Sequence, residues 1–331
     1  MCSSTSFVVQ IAHLCIEICG YNDEDSACLQ DLKRVFAHHE VSGDTKVVHR
    51  IVVCASNQCE IPSEATLRWI APCLGVAGSM PRRRWSFFGR NKERPKYSGT
   101  CNVHCYKDVS QQVDYFVPEN GEWQIKHDAK EHVTYVYSDG HNEMSDGLPS
   151  MLVNVIGSQY GCYLLFASSV AIEGQALLFA GDSGMGKSSL CMELVKKGAA
   201  YIGDDLVLVY LKGEQAMVGS LLFPVKCYVD KKQDHKKKID VVSQLPQRPP
   251  LNVPLKSVFL LQRDGAIVEL YLKPMQRDTL FEKMLKLTNK ANTNADARHF
   301  VDTISYICDS VPCHYLFYGD CNRINLSFFE S

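Results

Sequence analysis

The sequence lacks several patterns that would assign it to common classes of protein. Its 15 cysteines form no CxxC pair and its 11 histidines form no HExxH motif, so no zinc ribbon, thioredoxin-type redox site or zincin-type metal site is predicted. No apolar run reaches the ~20 residues needed to span a bilayer. The formal net charge is only −2, which gives no global electrostatic reason to expect nucleic acid or a membrane as a partner.

The N-terminal segment has no features of an export signal. Its first 20 residues have no basic region, and Glu17 interrupts the apolar stretch, so no signal peptide is predicted. The cysteines are scattered, and several lie in apolar runs such as RIVVCA and ISYIC, which is typical of reduced thiols that pack as small hydrophobic residues. We therefore expect a cytoplasmic protein.

A change of pattern near residue 147 predicts two domains, the number expected for 331 residues. Residues 1–147 are rich in β-branched runs. One helix is expected there at Asp25–His38, capped by Ser26, which together indicates a smaller, strand-rich α+β domain. The polar segment Ser138–Pro149 marks the boundary. Residues 148–331 alternate strands and helices, which predicts an α/β core.

The second domain contains a strand–loop–helix–strand unit. A strand is predicted at Ala176–Ala180, followed by a glycine-rich loop, a helix at Lys187–Lys197 and a strand at Ala200–Ile202. A further strand is expected at Ile267–Tyr271. This order is typical of α/β cores that bind nucleotides.

The loop GDSGMGKS contains the complete motif GxxxxGK[ST], or P-loop. Its glycines allow backbone conformations that direct several N–H groups at one anion, and the following helix adds the positive end of its dipole. Lys187 would bring a positive charge to the β- and γ-phosphates, and the Ser188 hydroxyl would join the shell of Mg²⁺. The nucleotide-binding residues predicted here are Gly181, Asp182, Ser183, Gly184, Met185, Gly186, Lys187, Ser188 and Ser189.

A pair of aspartates follows one helix and one strand later. Asp204 and Asp205 lie in YIGDDLVLV, between two apolar strands, where adjacent carboxylates are costly unless cations balance them. In phosphoryl transfer one carboxylate holds the metal and another orients the nucleophile. With Lys187 they form the predicted catalytic group.

The segment ALLFAGDSGMGKSSLCMELVKKGAAYIGDDLVLV resembles the core of HPr kinase/phosphorylase and of its shorter HPr-kinase-like relatives, a core related to that of phosphoenolpyruvate carboxykinase. The shared pattern is a strand, G-x-S-G-x-GKS, a helix and an Asp–Asp pair. Lys187 and Asp204 are 17 residues apart (204 − 187), as in the family. Weaker similarity extends over about Leu164 to Asn322. The resemblance implies an α/β P-loop kinase core with a mixed sheet.

The resemblance also implies roles for individual residues. Lys187 would bind the phosphates of ATP, or of another nucleoside triphosphate, and Ser188 would bind Mg²⁺. Asp204 would be the base that takes the proton of a serine hydroxyl, and Asp205 would be a second carboxylate on the metal side. The implied protein is a serine kinase that forms homo-oligomers.

One residue departs from the family pattern. The family has a histidine at the start of the stretch before the loop, whereas this chain has Phe166 in FASSV. Phenylalanine cannot act as an acid, a base or a phosphate carrier. We therefore do not expect the reverse, phosphorylase reaction. Arg248 in the proline-rich loop LPQRPPLNVP is a candidate source of transition-state charge.

Three functions agree with these features. The first is a kinase acting on a serine hydroxyl of a protein or peptide, which could dock on the basic, aromatic segment Arg82–Lys96. The second is a small-molecule kinase on the same core. The third is a nucleotide-binding regulatory or scaffold protein that has lost catalysis. No strong nucleic-acid signal is present, because one short basic patch in a neutral chain does not provide one.

Overall fold

Two large sheets with flanking helices make up the architecture. The computed structural model of the chain describes residues 6–21, 26–43, 45–55, 59–72, 102–119, 121–138, 147–182, 184–223, 225–230, 235–245, 247–267, 269–288 and 297–329.

The first sheet has eight strands, in the order β1-β2-β3-β8-β7-β6-β5-β4. Strand β3 is parallel to both of its neighbours, and the remaining pairs are antiparallel. The strands are β1 (Phe7–Ile11), β2 (Leu14–Gly20), β3 (His49–Cys54), β4 (Thr66–Pro72), β5 (Asn102–Asp108), β6 (Val113–Pro118), β7 (Gln124–Asp128) and β8 (Val133–Tyr137).

Helix α1 (Ala27–Val35) lies between β2 and β3 in sequence, as predicted. It begins at the expected cap, because the Ser26 hydroxyl accepts a hydrogen bond from the amide of Leu29 at 3.2 Å. Its buried residues Cys28, Leu29 and Leu32 belong to the hydrophobic core of the first sheet. The periodicity and the capping serine were therefore sufficient to locate this helix.

The second sheet has nine strands, with the main order β12-β10-β11-β17-β14-β13-β9. Its central strand β17 is parallel to β11 and β19 and antiparallel to β14, so the sheet is mixed. The nine strands are β9 (Tyr163–Leu165), β10 (Ser168–Ile172), β11 (Gln175–Ala180), β12 (Ala200–Gly203), β13 (Val207–Lys212), β14 (Gln215–Gly219), β17 (Asn252–Arg263), β18 (Tyr271–Pro274) and β19 (Cys313–Tyr318). Strands β15 (Val225–Asp230) and β16 (His235–Ile239) form a separate hairpin.

Helices cover both faces of the second sheet. On one face, α3 (Lys187–Lys196) packs Leu190, Cys191 and Leu194 into a core that includes side chains of β11, β17 and β19. On the other, α4 (Arg277–Leu287) and α5 (Ala297–Ser310) bury their apolar residues against the sheet. This is a three-layer α/β arrangement, so the predicted α/β class with a mixed sheet is confirmed at that level.

Helix α2 (Gly147–Gln159) connects the two sheets in sequence and is almost entirely buried. Its apolar residues share one hydrophobic core with the first sheet and with Leu208, Tyr210 and Met217 of the second. A common core thus joins the two parts of the chain. Their division into domains at residues 1–147 and 148–331 stays a prediction.

The predicted strand at Ile267–Tyr271 is wrong apart from its last residue, since β18 begins at Tyr271. A turn takes its place: the amide of Ile267 donates to the Asp264 carbonyl at 3.0 Å, and the amide of Ala266 donates to the Asp264 carboxylate at 3.0 Å. The side chain of Asp264 thus stabilises a turn that competes with the strand. Within the described ranges, no helix is long and apolar enough to cross a membrane.

Candidate active site

The loop after β11 has the backbone conformation that its glycines permit. Gly181, Gly184 and Gly186 have φ values of 145°, 90° and 89°, which residues with a side chain rarely adopt. A Cβ at Gly184 would meet nothing within 4 Å, whereas one at Gly181 would touch Leu261 of β17 at 3.5 Å. The loop is therefore open to solvent at its centre and packed against the sheet at its start.

The end of the loop is held by Tyr318, the last residue of β19. The Tyr318 hydroxyl donates to the Met185 carbonyl at 2.6 Å, and the side chain is almost fully buried. Burial raises the pKa of this phenol to about 12, so it stays protonated and continues to donate. A Cβ at Gly186 would lie 2.6 Å from the same hydroxyl oxygen, so this close approach requires glycine.

Lys187 begins α3 and directs its ammonium back across the loop. Its Nζ donates to the carbonyls of Gly181 at 2.9 Å and of Asp182 at 3.3 Å. Burial lowers the pKa of this ammonium, and the negative charges of Asp205, Asp204 and Asp182 act in the opposite direction. The structure therefore brings the predicted lysine within the electrostatic influence of the predicted aspartate pair.

The start of α3 fits an anion. Its N-cap is Gly186, which has no side chain to satisfy the first amides of the helix, and the cap makes no side-chain hydrogen bond. Ser188 and Ser189 are exposed in the same first turn. Uncapped amides, the helix dipole and the Lys187 ammonium are the features that bind phosphate groups in proteins.

Asp204 follows β12 and is held by a serine from β10. The two strands are antiparallel, with Ser169 opposite Gly203 and a register shift after Ser169. The Ser168 hydroxyl donates to Oδ1 of Asp204. Ser168 is fully buried and Asp204 is 9% exposed, so the hydrogen bond is shielded from water. Among the described residues the structure gives Oδ2 of Asp204 no hydrogen-bond partner.

Asp205 adopts a left-handed backbone conformation, with φ of 64°. Aspartate tolerates this conformation better than most residues. Within the described parts of the chain no group of three or more His, Cys, Asp or Glu side chains could hold a metal by itself. Mg²⁺ is usually held by one or two carboxylates together with phosphates and waters, and Ser188 and Asp205 as its ligands stay a prediction.

Cys191 lies on α3 beneath the aspartate pair. Its thiol is fully buried and is directed at the carbonyls of Ser169 (3.7 Å) and Gly203 (3.9 Å). Burial, reinforced by the negative charge of Asp204, raises the pKa of the thiol well above its ordinary value. It is therefore a protonated packing residue and not a nucleophile.

The sequence also singled out Phe166 and Arg248, and each of them contacts another part of the chain. Phe166 is two residues before Ser168, is half-buried, and donates its amide to the Leu287 carbonyl at 2.9 Å. Arg248 contacts the first part of the chain, where Nη2 donates to the carbonyls of His38 at 3.2 Å and Glu40 at 3.4 Å. A role for Arg248 in catalysis stays a prediction. Ser183 and the segment Arg82–Lys96 lie outside the described residues.

Three residues of the site were missed in the sequence: Ser168, Tyr318 and Arg263. Ser168 is a hydroxyl at the start of an otherwise apolar strand, a pattern that indicates a buried hydrogen bond. Tyr318 and Arg263 end strands β19 and β17, which are parallel to each other. Residues at the carboxyl ends of parallel strands meet at the edge where ligands bind in α/β sheets, and this rule could have identified them.

A glycine-rich loop at the start of a helix and a carboxylate pair thus lie at one edge of an α/β sheet. A model of the HPr serine kinase C-terminal domain family matches residues 163–228, a segment that contains both features. The resemblance inferred from the motifs is confirmed over this segment.

Curated relatives match the same short region. The HPr kinase/phosphorylase of Limosilactobacillus reuteri is 49% identical over 51 residues, and that of Lactiplantibacillus plantarum is 52% identical over 50 residues, each match covering 15% of this chain and 16% of the relative. The HPr kinase/phosphorylase of Prosthecochloris aestuarii is 32% identical over 71 residues, 21% of each chain. The chain thus matches less than a quarter of the length of these relatives.

A solved structure described as the HPr(Ser) kinase/phosphatase from Coxiella burnetii is also similar. The superposition covers 47% of this chain and 85% of that chain, at 11% identity and a TM-score of 0.30. A similarity at this TM-score does not define a shared fold. The sequence match of residues 163–228 therefore indicates similarity to a family of kinases, while the activity of the whole chain is a matter for proposal.

Proposed function

We propose that this chain is a cytoplasmic, ATP-dependent kinase that requires Mg²⁺ and transfers the γ-phosphate to a serine hydroxyl of a protein or peptide. The observation that carries the proposal is that Lys187 donates to the Gly181 carbonyl of the glycine loop while its ammonium lies within the electrostatic influence of Asp204 and Asp205. A loop that only bound nucleotide would not require a buried carboxylate opposite its lysine.

Each residue has a role that follows from its position. The first amides of α3 and the Lys187 ammonium bind and orient the phosphates. Ser188 and Asp205 hold Mg²⁺, which supplies positive charge to the transferring group when it is bound. Asp204 accepts the proton of the attacking hydroxyl at Oδ2, because Ser168 already occupies Oδ1.

The transfer itself is a single displacement. The acceptor oxygen forms a bond to the γ-phosphorus, the bond from that phosphorus to the β–γ bridging oxygen breaks, and ADP leaves. The acceptor proton passes to Asp204. Phe166 provides no acid or base at the place where the family has histidine, so we propose that phosphorolysis of phosphoserine does not occur.

The test is incubation with γ-labelled ATP and Mg²⁺, with serine-containing peptides and hydroxylated metabolites as acceptors, for the wild type and Asp204→Asn. Transfer to peptide that Asp204→Asn lowers by at least roughly a hundredfold, with nucleotide affinity unchanged, supports the proposal. Transfer to a metabolite alone supports a small-molecule kinase. Tight binding with no turnover in either protein supports a regulatory or scaffold protein, the second candidate that Phe166 favours.

The acceptor surface and the assembly are further parts of the proposal. Deletion of Arg82–Lys96 should raise the KM for an acidic peptide without changing the affinity for ATP, if this basic segment docks the acceptor. We also propose that the chain forms homo-oligomers, which light scattering of the purified protein would reveal.

A further inference from the structure

Arg263 is a second cation at the phosphate loop. It is the last residue of β17, the strand that runs parallel to β11 with Leu260 opposite Ala180. Because both strands end at the same edge of the sheet, the residues after Ala180 and after Leu260 emerge side by side. Arg263 is exposed there, so its guanidinium is accessible from solvent.

The Arg263 side chain packs against the end of the loop. A Cβ placed on Gly186 would lie 3.5 Å from both Cδ and Nη1 of Arg263. Nε donates to the Gly319 carbonyl at 3.3 Å, which fixes the inner part of the side chain and leaves the two terminal nitrogens for another partner. The guanidinium is therefore directly beside the N-cap of α3.

The local charges around Arg263 favour the binding of an anion. No carboxylate of the described residues lies within ion-pair distance of Arg263. The neighbouring Asp264 uses its carboxylate to accept the amide of Ala266. Arg263 thus lies beside the positive end of a helix dipole, and no carboxylate of the described residues supplies a compensating charge. A bound polyphosphate would supply that charge.

We infer that Arg263 binds the phosphate chain of the nucleotide, as a partner of Lys187 on the other side of the loop. The inference rests on the proposed function, since it needs a nucleotide in the loop. A guanidinium presents paired N–H donors that match two phosphate oxygens, which an ammonium cannot do. The contribution of Arg263 therefore grows with the number of phosphates on the ligand.

The experiment measures the Kd of ATP, ADP and AMP with Mg²⁺, by calorimetry, for the wild type, Arg263→Gln and the control Arg323→Gln. Arg323 is exposed like Arg263, but it lies at the far end of α3. There the preceding residue, Asn322, accepts a hydrogen bond at its carbonyl from Nζ of Lys197. The helix has 10 residues, and so is about 15 Å long. The two variants lose the same charge at opposite ends of one helix.

We expect Arg263→Gln to weaken the binding of ATP by roughly tenfold, of ADP by less, and of AMP scarcely at all. Arg323→Gln should bind all three like the wild type, and Arg263→Lys should recover part of the loss. The salt dependence of ATP binding should also become shallower in Arg263→Gln, because one charged contact has been removed.

Two results would overturn the inference. One is unchanged ATP affinity in Arg263→Gln when the wild type binds ATP, which would leave the proposed function intact. The other is an equal loss for ATP, ADP and AMP together with a lower melting temperature, which would show that Arg263 only anchors the turn at Gly319. If the wild type itself binds no nucleotide, the proposed function fails first, and Arg263 has no phosphate to bind.

Discussion

The Ser168 hydroxyl donates a hydrogen bond to Oδ1 of Asp204, across the antiparallel pair β10–β12. This bond makes the two oxygens of the Asp204 carboxylate different from each other. Oδ1 is fixed by a fully buried serine, so the proposed role of Asp204 as a base is assigned to Oδ2.

Replacing Ser168 by alanine should lower turnover more than affinity. The variant leaves Asp204 without its buried donor, a loss of about 1.5–3 kcal/mol for a hydrogen bond to a charged group, or roughly tenfold to a hundredfold in kcat. The Kd of Mg²⁺–ATP should stay unchanged, because the loop is untouched.

Ser169→Ala is the matched control for this prediction. Ser169 is equally buried, but its hydroxyl donates to the Leu177 carbonyl at 2.9 Å and not to Asp204. Equal losses of kcat in the two variants would contradict a specific role of Ser168, as they would indicate a general disturbance of β10.

Gly186→Ala should disrupt the loop through a collision as well as through backbone strain. The new Cβ would lie 2.6 Å from the Tyr318 hydroxyl, in addition to a cost of about 1–3 kcal/mol for φ of 89°. We expect ATP affinity to fall by more than roughly tenfold.

Gly213→Ala separates these two effects. Gly213 also has a positive φ, of 60°, but a Cβ there would meet nothing within 4 Å. This control should lower stability by about 1–2 kcal/mol and leave ATP binding unchanged. If Gly186→Ala binds ATP like the wild type, the close packing of Tyr318 on the loop has no functional role.

Two buried histidines make the first sheet sensitive to acid. His49 Nε2 and His127 Nδ1 are hydrogen-bonded to the Thr134 hydroxyl oxygen, at 2.8 and 2.9 Å. Burial lowers the pKa of each imidazole to about 3, with smaller contributions from nearby positive charge at Lys107 and His132. In the folded state both histidines therefore stay neutral down to low pH.

In the unfolded chain these histidines take up protons near their ordinary pKa. Their protonation therefore costs no stability above about pH 6.5, and the free energy of unfolding falls as the pH decreases toward about 3. Each histidine should lower the free energy of unfolding by up to about 1.4 kcal/mol for each unit by which the pH falls in that window. Urea unfolding of His127→Gln should show a shallower loss of stability between pH 6 and pH 4 than the wild type. Parallel slopes for the wild type and His127→Gln would contradict this account.

Local patterns in the sequence were sufficient for the loop and the elements around it. The helix expected at Lys187–Lys197 is α3 (Lys187–Lys196), and the strand expected at Ala200–Ile202 is β12 (Ala200–Gly203). Glycine spacing and capping residues act within a few residues along the chain, so they can be read without knowing the fold.

The contacts that complete the site depend on strand register, which the sequence did not reveal. Ser168 and Asp204 are 36 residues apart and meet only because β10 pairs with β12. Arg263 reaches Gly186 only because β17 lies beside β11. Pairing between distant strands is decided by packing of the whole sheet, so the partners of these two residues became apparent only in the fold.

The most direct test of the account is the affinity of the purified chain for Mg²⁺–ATP, measured by calorimetry in the wild type, Lys187→Ala and Lys196→Ala. Lys196 is an exposed lysine in the last turn of the same helix. We predict magnesium-dependent binding in the wild type and Lys196→Ala, and a loss of at least roughly a hundredfold in Lys187→Ala. Equal affinity in all three proteins, or no binding in any of them, would contradict the central claim that this loop holds a nucleoside triphosphate.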